Sequence, residues 1–113
     1  MQDDRKMYEL RGASVAQVAQ AADELWLRVR QPGSDARKAA ANAGVPVDDL
    51  PEVPRAEAFA LTRAQEGIDP LLTGFLVGVA SGVAGNAIWS FVEKVFIPYL
   101  QHRFGRDSVE PKG

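Results

Sequence analysis

The chain contains no cysteine and a single histidine, His102. The first absence excludes a disulfide framework, a thiolate metal site and a thiol nucleophile. The second excludes a metal centre built from several histidines. His102 has no acid or base partner placed beside it in sequence, so it reads as a surface or interfacial residue rather than a general base. An excess of positive charge is also missing. The net charge of −2 argues against a general nucleic-acid binder, which needs a concentrated basic surface to displace counterions from phosphate. The stretch from Met1 to Lys6 alternates acid and base and leads into no apolar run, so it does not read as a signal peptide.

Motifs for chemistry are equally scarce. The glycines of GVASGVAG, residues 78–85, follow neither the GxGxxG of a dinucleotide turn nor a P-loop with its Lys-Ser/Thr. Asp48 and Asp49 match no calcium-loop spacing, and Ser81 and Ser90 have no base or oxyanion motif around them. The expectation is a protein without enzymatic activity, cofactor or small-molecule substrate.

One more absence organises the chain. Between Asp69 and Glu93 there is no charged residue, although 25% of the protein is charged. Glycine is concentrated in this stretch, at Gly74, Gly78, Gly82 and Gly85. At 113 residues the chain is long enough for one modest core and not two. Arginine outnumbers lysine and alanine is abundant, a composition that suggests a bacterial origin.

In chain order, Lys6 to Arg11 alternates as a short strand, and Gly12 ends it. Ser14 caps a helix to about Arg30 whose stripe is Val15, Val18, Ala19, Ala22, Leu25, Trp26 and Val29. Gln31-Pro32-Gly33 is a turn. Ser34 or Asp35 then caps a short alanine-rich helix that stops at Gly44. Val45 to Pro54 reads as a loop, and Glu57 to Arg63 as a second strand able to pair with the first. Asp69 as N-cap and Pro70 at the first helical position start a helix that runs through Val92 and kinks near Pro98. The predicted fold is therefore α+β. A small polar part, 1–66, holds two short strands and two helices. One long glycine-rich apolar helix follows within 67–105, and 106–113 is a disordered tail.

A helix of about 20 apolar residues spans the roughly 30 Å of a bilayer core, and Pro70 to Val92 meets that length. Gly74, Gly78 and Gly82 stand four apart, forming one groove on a helix in which Asn86 falls near the same line. Small residues so spaced let two helix backbones approach closely, a pattern common in membrane helix pairs. Trp89, Phe91, Phe96 and Tyr99 would then form an interfacial belt or a docking face. Two readings stay open: a helix in lipid that self-associates, or the same helix buried in a protein core or a partner interface. The corresponding locations are a bacterial inner membrane and the cytoplasm.

From Gly67 to Gly105 the chain reads Gly-x-Asp-Pro, a small-residue apolar helix, then Trp89, Pro98 and a closing Arg103-Phe104-Gly105. This third of the chain resembles the C-terminal module of small uncharacterised bacterial proteins, some of them similar to effector-associated components of bacterial conflict (immunity) systems. The resemblance implies a partner-dependent role at a membrane or in a defence complex.

Overall fold

The computed structural model describes residues 4–65, 73–79 and 85–112. Strand β1, Asp4–Leu10, buries Tyr8 and Leu10 and leaves Met7 and Glu9 partly exposed, the two-residue period of a strand with one face covered. At Gly12 the backbone takes a φ of +76°, a conformation that favours glycine, and turns into α1, Val15–Arg30. Ser14 caps α1. Its Oγ accepts from the Gln17 N–H at 3.1 Å while Gln17 Oε1 accepts from the Ser14 N–H at 2.8 Å, so two otherwise orphaned donors are satisfied reciprocally. The face of α1 that carries Val18, Ala21, Ala22, Leu25, Trp26 and Val29 is buried. Helix α2, Asp35–Asn42, is capped by Ser34 and followed by Gly44 at a φ of +93°. A 3-10 turn at Val47–Asp49 and the short α3, Arg55–Ala58, lead into β2, Ala60–Gln65. Then come β3, Thr73–Val79, and α4, Gly85–Phe91. A π-helical turn at Val92–Phe96 joins α4 to α5, Ile97–Phe104, and β4, Val109–Lys112, follows.

The four strands form one antiparallel sheet in the order β2-β3-β1-β4, so the N-terminal strand lies inside it. Tyr8, Leu10, Phe75, Val77, Val79 and Val109 point from the sheet into the helical layer, where Trp26, Phe91 and Phe96 meet them in a single core. Trp26 stands edge-on to Phe59 and Phe91 at centroid distances of 6.0 and 5.3 Å, and Phe59 lies 5.6 Å from Phe96. The Trp26 Nε1–H donates to the Val53 carbonyl at 2.7 Å, so the one polar atom of this buried ring is paired. Tyr8 stacks on Phe75 at 5.4 Å across the β1–β3 pair.

The structure overturns the predicted architecture in its C-terminal half. A strand stands where the long helix was expected: β3 fills Thr73–Val79, and the next described helix is α4, Gly85–Phe91. The four-residue spacing of Gly74 and Gly78 is the source of the misreading, because positions four apart share a face on a strand as well as on a helix. The deciding period is two. Phe75, Val77 and Val79 are all within 1% of full burial, and Gly74, Leu76 and Gly78 alternate with them. The β-branched Val77 and Val79 suit the pleated, half-covered surface of a strand. Among the described residues no helix is long and apolar enough to cross a membrane. The Asp69-Pro70 boundary lies outside the described residues.

The distortion of the C-terminal helix lies before Pro98 rather than at it. The Ile97 N–H reaches back five residues to the Val92 carbonyl, and Pro98, which has no N–H to give, starts the next helical segment. The expected tail at 106–113 contains β4, which pairs with β1 and buries Val109 completely. The strand predicted at Glu57 to Arg63 begins at Ala60, after the helical turn of α3, and pairs with β3 instead of β1. The β1–β3 and β2–β3 pairings cross the boundary expected at residue 66, and both halves of the chain share the core.

Candidate interaction surface

The residues singled out as a helix-association groove do not come together as one. Gly74 and Gly78 lie on β3, Asn86 is exposed on α4, and Gly82 lies outside the described residues. The aromatic set divides in the same way. Phe91 and Phe96 are fully buried in the core and form no docking face. Trp89 and Tyr99 are half-buried at its rim, each beside a cation: Lys6 Nζ sits 5.4 Å above the Trp89 ring, and the Tyr99 hydroxyl accepts from Arg103 at 3.1 Å. His102 is exposed.

Gly74 and Gly78 do lie on a common face of the sheet, the one opposite the helices, where Gly78 is half-buried and Gly74 buried. The register places this face on three rungs. At one end Ala60, Gly78 and Arg5 are neighbours across β2, β3 and β1. Thr62, Leu76 and Met7 form the middle rung, with Lys112 in register beyond Met7. At the other end stand Gly74, Glu9 and Glu110, with Ala64 in register on β2. Ala60, Thr62, Arg5 and Glu110 are exposed, and Met7 and Leu76 are half-buried. A β-carbon built on Gly78 would lie 3.8 Å from Arg5 Cγ, an ordinary contact, so no close approach demands glycine there. What glycine does is keep the face low. A shallow cleft of about 500 Å³ opens beside it, bordered by Arg5, Ala56, Thr62, Leu76 and Gly78. Sequence reasoning passed over Met7, Thr62 and Leu76. The alternation of Phe75, Val77 and Val79 with Leu76 and the glycines was the signal available.

Elsewhere the charged side chains fasten elements together. Lys6 pairs with Glu93, joining β1 to the π-helical turn. Arg55 bonds Asp23 at 2.8 Å and the Phe59 carbonyl at 3.1 Å, tying α3 to α1. Arg37 bonds Asp48 at 2.8 Å, and Arg103 bonds Glu24 at 3.0 Å. The hydrogen bonds from Glu24 and Tyr99 raise the already high pKa of Arg103. These groups are committed to the fold, and among the described residues no group of three acidic or histidine side chains is placed to hold a metal ion.

Burial of Tyr8 raises its phenol above the ordinary 10.0, and the Glu93 carboxylate pushes the same way. A raised folded-state pKa means that the neutral phenol contributes stability below pH 10, which is lost as the pH rises through the folded value. We expect the Tyr8 component of the tyrosinate absorbance, obtained by difference from Tyr8→Phe, to emerge above that ordinary value. Titration at or below it would place the ring in water.

No protein-family model, curated protein or solved structure matches this chain. The segment that carries the resemblance to conflict-system proteins corresponds, where it is described, to β3 and the bent C-terminal helix.

Proposed function

We propose that this protein is a non-enzymatic interaction module that works by self-association through the face of its sheet opposite the described helices. One observation carries the reading. The sheet spends its bulky apolar residues on the helical side and shows small residues around Met7 and Leu76 on the other. A half-exposed apolar centre on a flat surface, rimmed by charge, has the anatomy of a protein contact: an apolar middle and a polar edge. The resemblance of the C-terminal third adds the setting, a bacterial defence complex in which such a module brings copies of itself together.

Four strands about 4.8 Å apart and three rungs about 6.7 Å apart give this face a footprint of roughly 19 by 20 Å. That is below the size of a stable specific interface and in the range of weak, transient ones, so the dimer should be reversible and concentration-dependent. Sedimentation equilibrium tests this. Wild-type protein should pass from monomer to dimer on concentration, and Leu76→Arg should weaken the dimer by at least about tenfold with its thermal midpoint little changed. A wild-type monomer at every concentration, or a Leu76→Arg dimer of unaltered strength, defeats the proposal.

A further inference from the structure

Arg30 is the last residue of α1, where a cation suits the negative end of the helix. Its Nη1 donates to the Val53 carbonyl at 3.0 Å, the same oxygen that accepts from Trp26, so the guanidinium is anchored to the segment before α3. Its Nε–H is buried and has no hydrogen-bond partner, although buried donors are nearly always paired. Nη2 lies on the same side as that N–H. It makes no bond among the described residues and is not buried. Nε–H and Nη2 together form the fork that takes a carboxylate through two parallel bonds.

Arg30 borders a cavity of about 280 Å³ whose other walls are Arg37, Val47, Asp48, Leu50 and Glu52. Sites for drug-sized ligands run from roughly 300 to 1,000 Å³, so the occupant of this one is small. The four charges around it balance. Arg37 is already committed, to the Val29 carbonyl at 3.3 Å and to Asp48 at 2.8 Å, and that pair adds little net charge. Arg30 and the exposed Glu52 remain. A plain anion would meet Arg30 together with two carboxylates, whereas a zwitterion offers each sign its opposite. We infer that this cavity binds a free α-amino acid, its carboxylate on the Arg30 fork and its ammonium on the Glu52 side. The carboxylate arrives at Nη2, and a slight turn of the anchored guanidinium brings Nε–H to its second oxygen. The orphaned donor is then paired. This site lies apart from the sheet face, and neither reading rests on the other.

The side-chain Nε–H signal of Arg30 in a nitrogen-correlated NMR spectrum reads the site directly, and its loss in Arg30→Lys assigns it. L-alanine titrated into the full-length protein should shift that signal saturably in the millimolar range. Acetate lacks the ammonium and L-alaninamide lacks the carboxylate, so each should bind at least about tenfold more weakly. Arg30→Lys keeps the charge but loses the fork. L-alanine binding, followed on the backbone amides of residues 47–50, should weaken by at least about tenfold in that variant. Glu52→Gln, at an exposed position, should weaken L-alanine toward acetate and leave acetate binding no weaker. Thermal midpoints close to wild type show that both variants fold. An Arg30 signal that L-alanine moves no further than sodium chloride at the same concentration overturns the inference. Equal binding of acetate and L-alanine overturns the zwitterion. Sedimentation of the same samples reports on the sheet face separately.

Discussion

Phe91→Ala should cost about 3–5 kcal/mol of folding stability, the usual range for emptying a buried aromatic site. Phe91 has no exposed surface and lies against Trp26 at 5.3 Å and Phe59 at 6.1 Å, so its removal leaves a cavity where α1, the segment before β2 and α4 meet. Single domains are stable by only about 5–15 kcal/mol, and the variant should lose at least about a fifth of that margin. Urea titration followed by tryptophan fluorescence measures the effect, since Trp26 reports from within the same cluster. The midpoint should fall steeply while the dependence on urea is kept. An aromatic on a docking face would change the monomer by less than about 0.5 kcal/mol, so the result separates the core position from a surface one.

Val109→Asp should be comparably damaging. Val109 is fully buried on β4 opposite Leu10, and its carbonyl accepts from Gln101 of α5 at 2.9 Å. A carboxylate there would be buried between the sheet and α5, at a cost of about 3 kcal/mol or more. The same substitution in a disordered tail would cost nothing measurable. A thermal midpoint within a degree or two of wild type would therefore remove β4 from the fold.

Local signals made the first half of the fold readable. Ser14 with Gln17 three residues on, the stripe from Val18 to Val29, Ser34 before an alanine-rich run and Gly44 after it are each satisfied within a turn or two of chain. Those elements stand where their residues place them. The second half depends on partners distant in sequence. Between Gly74 and Val79 the residues obey both periods, and only the place of β3 between β1 and β2 decides for the strand. β4 has few apolar residues and a proline, Pro111, a composition suited to an edge strand, and its pairing is supplied entirely by β1. The candidate surface was missed for the same reason. Leu76, Thr62 and Met7 come from three strands and become neighbours only once the register is known.

The fold hangs on β3 being a strand inside this sheet, and nuclear Overhauser contacts across residues 73–79 test this most directly. We expect strong cross-strand contacts linking Met7 with Leu76 and Leu76 with Thr62, together with slow amide exchange along β3. A run of contacts between residues three and four apart, from Gly74 to Val79, would instead make this segment a helix. The sheet would then lose its centre, and the self-association surface would go with it.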